Sequence, residues 1–502
     1  MQQEAIDKQR EQDLKIYRQP TTSTGKHDEE HCSKSVEYPK GTKFAFCVAE
    51  DINPGTGYVM AQLRKQGHDV RLFFDPKQFA RGYSRNSVLE KLFNIQDWLI
   101  KEMKEFNPDV ACFSVLSATY QWGIKFAERV KREVGCRVIF GGTMPTLVPE
   151  IVSENWFIDE IIQGDGVRHF GGKLDPDNLW PVRDDFFLEL PPEHRKTQLF
   201  MTSYGCPYNC TFCGNQQLRE VGQYVKMKRS VDGCIKELKY MKEKWGLQNV
   251  LFVDDILTLD KKWLMEFLPR YREEINCPFA CFGHVNCLDE EEIAEMAKSN
   301  CKTIWLGIQS GCPNHRKQIL DRPETNDQII KVSEWIKKYG IKLMVDHICG
   351  LPYESDYSFD LSFQLYEKIQ ADVINVYECL YFPKAKINEF ALKCGYIKPE
   401  DIDRINRGQH IVYQQGNKCG HFYNKYAKGL VALPLKGAAW EFLPMWLIKL
   451  IIHLRAGRGY IANAMIENEL FFTWNAILKK LGIKKHRRNY VERQPNFDLN
   501  QG

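Results

Sequence analysis

No stretch of this 502-residue sequence is apolar for long enough to cross a bilayer as a helix, a span that takes about 20 residues. The most apolar run, Phe442 to Leu454, is interrupted by Lys449 and His453 and is too short. The first forty residues are polar and contain no apolar segment of the secretory type, so the sequence predicts no export. A disulfide framework is also missing, because the 17 cysteines are odd in number and scattered. Secreted frameworks pair their cysteines at regular spacings, so a reducing cytoplasm is expected. The chain has no strong charge of one sign either: its net charge is +4. Seven Lys or Arg against one Glu between Lys479 and Arg493 account for that excess, which leaves a body without the basic surface that nucleic acid requires. No nucleic-acid partner is expected.

The length calls for two or three domains. Residues 1–42 are a polar lead-in with little to bury. From residue 43 to about 170, short apolar runs alternate with helical patterns. The runs are Phe44–Ala49, Asp69–Phe74, Asp109–Ser114, Arg137–Gly141 and Asp159–Gln163, and the helical patterns include Val59–Gln66, Val88–Phe106 and Tyr120–Val134. This alternation predicts an α/β, Rossmann-like doubly wound parallel sheet that binds its ligand beyond the carboxyl ends of the strands. A Pro- and Asp-rich linker is expected over 171–196. A second series follows over 197–395, with strands at Gln198–Ser203, Asn249–Asp254, Phe279–His284, Thr303–Gln309, Ile341–Ile348 and Val373–Leu380. Six strand–helix repeats predict a partial (β/α)6 barrel with its site at the strand ends. Residues 396–502 are expected to form a mainly helical extension. In it, Phe442, Trp446, Leu450 and Leu454 share a helical face suited to core packing, a greasy substrate or peripheral contact with a membrane.

The chemistry is concentrated in Thr202–Asn215, where Cys206, Cys210 and Cys213 are spaced C-x3-C-x2-C. Three thiolates at this spacing reach three corners of a 4Fe-4S cube and leave one iron without a protein ligand. A structural zinc site, the alternative, wants a fourth Cys or His close by. Together with Phe212, the spacing resembles the signature of the radical S-adenosylmethionine (SAM) enzymes.

That resemblance extends along the barrel. Val253-Asp254-Asp255 resembles the paired acid of the cobalamin-dependent group, which implies contacts to the SAM amine. Gln309 in Leu306–Ser310 matches a ribose-contacting position, and Asp346–Pro352, with Ile348 and Gly350, resembles the element that packs against adenine. In the first domain, Ser114 and Leu116, then Gly141, Gly142 and Thr143, are similar to the Ser-x-Leu and Gly-Gly elements of cobalamin-binding domains. Where many such domains carry Asp-x-His-x-x-Gly, this chain has Asp51-Ile-Asn53-Pro-Gly55, so no histidine is expected beneath the cobalt.

The resemblance implies a radical SAM enzyme with a 4Fe-4S cluster and cobalamin, methylating an unactivated carbon of a small-molecule or lipid-like substrate. It also implies an external one-electron reductant of the flavodoxin or ferredoxin type. The same parts serve an oxidative cyclase or rearrangement enzyme that transfers no methyl group. A methylthiotransferase would need a second three-cysteine cluster from Cys47, Cys112 and Cys136, and a non-catalytic cobalamin-binding scaffold would have no need of the thiol triplet. Cys277, Cys281 and Cys287 are not expected to hold an auxiliary cluster, whereas Cys349, Cys379 and Cys394 are candidates for contact with substrate or cobalt.

Overall fold

The computed structural model describes residues 36–50, 52–77, 87–220, 227–409, 411 and 472–481. Two parallel sheets carry the chain. The first contains β1 (Lys43–Ala49), β2 (Asp69–Asp75), β3 (Val110–Ser114), β4 (Arg137–Gly141) and β5 (Glu160–Ile161), in the order β2-β1-β3-β4-β5. The strand order reverses between β1 and β3, and the crevice at such a reversal is where doubly wound sheets take their ligand. Both faces are covered, so the strands read as continuous apolar runs. Cys47, Phe113 and Phe140 fill one face, while Phe46, Cys112 and Ile139 fill the other.

The segment expected to be a linker belongs to this first core. Leu179, Val182, Phe186 and Leu190 are buried against β1 and β2, each contributing roughly 1.5–3 kcal/mol of transfer free energy. The helical pattern over Val88–Phe106 is two helices, Ser87–Leu92 and Gln96–Phe106. They are separated at Asn94, whose side-chain oxygen accepts the Gln96 amide at 2.8 Å. Such local bonding offers the backbone an alternative to the helix. Beyond the barrel, a helix over 472–480 packs Ala476 into the core of this same domain. The Phe442–Leu454 stretch lies outside the described residues.

The second sheet holds β6 (Thr197–Phe200), β9 (Asn249–Phe252), β10 (Phe279–Gly283), β11 (Cys301–Gln309), β12 (Lys342–Cys349) and β13 (Val373–Glu378). It runs in the order β13-β12-β11-β10-β9-β6 with β6 and β13 as its edges, an open partial barrel. A two-stranded ribbon, β7 (Ser203–Tyr204) with β8 (Met227–Lys228), is added at the start of the cysteine loop. The period of two sorts β11 cleanly: Ile304, Leu306 and Ile308 pack outward onto the helices, and Trp305, Gly307 and Gln309 turn to the lumen. The covering helices start on side-chain caps, such as Ser230 accepting Gly233 N and the Asp289/Glu292 and Thr325/Gln328 capping boxes.

Contacts of two kinds join the domains. A buried set places Glu237 between Arg183 and Arg229, at 2.6 Å from each, with Tyr58 edge-on to Tyr204. An exposed set pairs Glu150 with Lys384 at 3.3 Å and Glu154 with Arg407 at 2.6 Å, and Gln121 donates to the Arg407 carbonyl. The helix Thr143–Leu147 after β4 packs against the helix Gly214–Glu220 after the cysteine loop. The carboxyl ends of the two sheets therefore meet.

Candidate active site between two sheet edges

The cysteine loop is held at both ends and in the middle. At its start, the fully buried Asp254 accepts the Thr202 amide at 3.1 Å, the Thr202 hydroxyl at 2.6 Å and the Ser203 hydroxyl at 2.5 Å. Lys228 Nζ, whose pKa burial lowers, donates to the same Thr202 hydroxyl at 3.2 Å. In the middle, Thr211 donates its amide to Leu320 O and its hydroxyl to Ile319 O at 2.6 Å. At its far side, Arg219 reaches back to the carbonyls of Cys206 and Tyr208 and to Asn209 Oδ1. A loop tied this way presents its thiols from a fixed frame.

Cys206, Cys210 and Cys213 are half-buried to buried, and burial raises the pKa of each thiol. Each also senses a neighbouring thiol of the triplet. Arg322 points at the triplet, with Nη1 3.6 Å from Cys210 Sγ and Nε bonded to Glu324 at 2.6 Å. Among the described residues, no three His, Cys, Asp or Glu side chains gather tightly enough for a single metal ion. Three soft thiols on one anchored loop, with a cationic guanidinium beside Cys210, fit an anionic thiolate-ligated cluster.

The paired acids divide their work. Asp254 is turned inward and committed to Thr202 and Ser203, whereas Asp255 is exposed and accepts from Asn215 Nδ2 at 2.9 Å. Of the two, Asp255 is the one open to a ligand. Gln309 sits at φ 64°, where the β11–β12 register shifts, and a Cβ on Gly307 would come within 2.6 Å of its Nε2. A non-glycine residue in that region is held there by its surroundings. Phe212 and Ile348, far apart in sequence, pack on one apolar cluster with Leu320 and Leu351, and Gly350 donates its amide to the buried Glu354 at 2.7 Å.

Sequence reading placed Asp346 only at the start of the adenine-packing element and gave it no contact of its own. It projects from β12 into the lumen beside Gly307, accepts from Asn375 Nδ2 at 2.9 Å, and has its pKa raised by burial. The signal available was its place in the period of two along Lys342–Cys349.

At the carboxyl ends of β1 and β3, Asn53 Nδ2 donates to Ser114 Oγ at 3.1 Å across the strand reversal, and Asn53 Oδ1 accepts the Thr56 amide at 3.1 Å. Both functional atoms of Asn53 are engaged in capping and bridging. Asp51 lies outside the described residues. Gly142 has φ 102°, and a Cβ there would stand 2.7 Å from Val115 O, so only glycine fits. On Gly141 a Cβ would meet only Ile162, at 3.6 Å, with open space otherwise. Leu116 is exposed and Thr143 half-buried beside it. The notch thus combines an open backbone, one apolar side chain and hydroxyls from Ser114 and Thr143, a set that fits a broad, partly apolar ring.

Other cysteines are structural. Cys281 and Cys277 are buried, with Cys277 bonded to Leu247 O, and Cys287 faces Tyr208 instead. Cys349 and Cys379 are buried in apolar clusters and Cys394 bonds the Ala391 carbonyl, so these three do not face a ligand. Cys47 and Cys112 lie on opposite faces of the first sheet, which removes the second cluster that a methylthiotransferase would need.

Residues 200–365 match the model of the radical SAM superfamily. The domain that carries the cysteine loop is therefore a radical SAM domain. As a radical SAM enzyme the chain works with a 4Fe-4S cluster and SAM. It is 24% identical to an uncharacterized methyltransferase of Pyrococcus horikoshii, covering 72% of this chain and 85% of the relative. It is 22% identical to the cytidylyl-2-hydroxyethylphosphonate methyltransferase of Streptomyces wedmorensis, over 75% of this chain and 85% of that one. The solved structure of the cobalamin-dependent SAM radical enzyme OxsB with aqua-cobalamin bound aligns at a TM-score of 0.58 and 12% identity, covering 88% of this radical SAM chain and 80% of OxsB. That likeness shows a shared fold.

Proposed function

We propose that this radical SAM enzyme binds cobalamin in its first domain and methylates an unactivated carbon of a small-molecule or lipid-like substrate. The observation that carries the reading is the meeting of the carboxyl ends of the two sheets, with the Gly141–Gly142 notch and the three-thiol loop joined through the packed helices Thr143–Leu147 and Gly214–Glu220. Two relatives named as methyltransferases, each covered over most of its length, support the methyl transfer. The OxsB likeness supports the cobalamin.

In this reading Cys206, Cys210 and Cys213 hold the cluster, and Arg322 balances its charge at Cys210. Asp255, Gln309 and Asp346 offer acceptors to the amine and hydroxyls of SAM, while Phe212, Ile348 and Gly350 flank its adenine. Ser114, Leu116, Gly141, Gly142 and Thr143 take the corrin ring. Asn53 supplies no imidazole, and both of its polar atoms are already committed. When bound, these groups together supply one-electron cleavage of SAM and a transferable methyl. The protein's part is to fix the geometry and exclude water from the gap. Phe282 and Trp305, stacked with centroids 5.2 Å apart in the lumen, give that gap an apolar wall.

Anaerobic turnover with methyl-labelled SAM and extracts of the source cell tests the reading by mass spectrometry. Label in a carbon-bound methyl of a product is expected. SAM consumption with label in no product would replace methylation by a cyclisation or rearrangement.

A further inference from the structure

His284 follows directly on the carboxyl end of β10 and is 5% exposed. It makes none of the hydrogen bonds that anchor the cysteine loop. Its ring instead lies flat on that of Tyr208, midway between Cys206 and Cys210, with centroids 4.0 Å apart and planes 12° from parallel. The Tyr208 hydroxyl lies 3.3 Å from Cys287 Sγ, in the short turn that His284 itself caps. Tyr208 is thus fixed both at its face and at its tip.

The two nitrogens of His284 have different surroundings. Nδ1 accepts the Asn286 amide at 3.2 Å, which leaves the proton of the neutral ring on Nε2. Burial pushes the pKa down to about 4, so the ring is neutral at pH 7. Nε2 faces Glu324 Oε2 at 3.8 Å, longer than a hydrogen bond. Both residues are more than nine-tenths buried, and among the described residues neither atom has a hydrogen-bond partner.

The other oxygen of Glu324 accepts from Arg322 Nε at 2.6 Å, and Arg322 Nη1 stands 3.6 Å from Cys210 Sγ. Asp321, just before Arg322, sits at φ 52°, a region that non-glycine residues enter only where their surroundings hold them. Tyr208, His284, Glu324 and Arg322 therefore form a circuit that leaves the cysteine loop at one residue and returns to it at Cys210. Its one open join is the gap between His284 and Glu324. In a buried setting an N–H dipole still stabilises a carboxylate across such a gap. A carboxylate deprived of it would draw harder on its remaining donor, Arg322.

We propose that His284 is a positioning residue for the thiol triplet: its ring sets Tyr208, and its Nε2–H relieves the buried Glu324 oxygen and so leaves the Arg322 guanidinium to Cys210. The inference rests on the reading of Cys206, Cys210 and Cys213 as the holders of a 4Fe-4S cluster. Groups behind the ligands orient them, and the charge around the sulfurs sets the reduction potential. His284, which touches no thiol of the triplet, thereby governs how readily a cluster held there accepts an electron.

The test is anaerobic reconstitution of the full chain followed by redox titration of the cluster, read by electron paramagnetic resonance. His284→Phe keeps the stack on Tyr208 and removes the N–H. With Arg322 drawn toward Glu324, the reduced-to-oxidised ratio at a fixed potential should fall about tenfold, a one-electron shift of about 59 mV to more negative potential. In a Glu324→Gln background the same change should leave the potential where it was, because the carboxylate that links His284 to Arg322 is gone. Where His284→Phe does not load iron, Gln and Met at this position give the same comparison, since they are alike in length and differ in the donor. His284→Met should show the shift and His284→Gln should not. A parent-like potential in the variant that lacks the donor, or an equal shift in the Glu324→Gln background, overturns the proposal. A parent chain that loads no iron overturns it by a separate route, by removing the cluster reading on which it rests.

Discussion

Asp254 holds Thr202 by both its backbone and its side chain, accepting the amide at 3.1 Å and the hydroxyl at 2.6 Å in a fully buried setting. Asp254, two residues past the end of β9, therefore sets where the cysteine loop begins. Asp254→Ala leaves the Thr202 amide and two hydroxyls without their acceptor, and the expected loss is about 3 kcal/mol in urea denaturation. Asp254→Asn keeps an acceptor and should lose less. Equal losses in the two variants would show that the carboxylate has no special hold on the loop.

Changing Cys206, Cys210 and Cys213 together to Ala should leave the circular dichroism spectrum intact, because the three lie in a loop and not in the sheet core. Anaerobic reconstitution of the parent should give about four irons per chain and that of the variant none, with SAM cleavage abolished. Cleavage surviving in the triple variant would remove the cluster from this loop.

The two glycines of the notch should separate folding from binding. Gly142→Ala puts a Cβ 2.7 Å from Val115 O at φ 102°, and a destabilisation of roughly 2–4 kcal/mol is expected in urea. Gly141→Ala meets only Ile162 at 3.6 Å, so the protein should fold normally while its cobalamin affinity, followed by absorbance titration, falls. Unchanged affinity in Gly141→Ala would move the corrin ring elsewhere.

Glu292 supplies a pH signature. It is buried, one oxygen accepts the Asp289 amide at 2.9 Å, and Oε1 has no partner among the described residues. Burial pushes its pKa up to about 7. The folded state then holds a proton that the unfolded state has released between the ordinary glutamate pKa and neutrality, so stability present in acid falls as pH rises through that window. Glu292→Gln keeps the capping box and removes the charge. Its stability should exceed that of the parent at pH 8, and the difference should shrink toward pH 4 in denaturation curves taken across this range. A constant difference would mean that Glu292 does not titrate there.

The strands of both sheets were legible because they are buried on both faces and bounded by turn residues. Phe44–Ala49 and Arg137–Gly141 fall within a residue of β1 and β4. The break at Asn94 was less legible, because one side-chain bond to Gln96 decides it within a continuous helical pattern. The segment 171–196 was read as a linker from its prolines and aspartates, yet its spaced apolar residues Leu179, Val182, Phe186 and Leu190 complete a core whose other half lies more than a hundred residues earlier. Within the site, the thiol triplet was legible from spacing alone. The inward turn of Asp254 and the lumen position of Asp346 depend on pairing partners that spacing does not record.

The two sets of contacts between the domains differ in what holds them. Glu237 with Arg183 and Arg229 is buried and keeps its strength in salt, while Glu150–Lys384 and Glu154–Arg407 stand in solvent, where ionic strength screens them and each is worth about 1 kcal/mol or less. One seam of the molecule therefore behaves as a fixed hinge and the other as a weak clasp. Added salt should therefore loosen the Glu150–Lys384 and Glu154–Arg407 side of the contact while the Glu237 side holds.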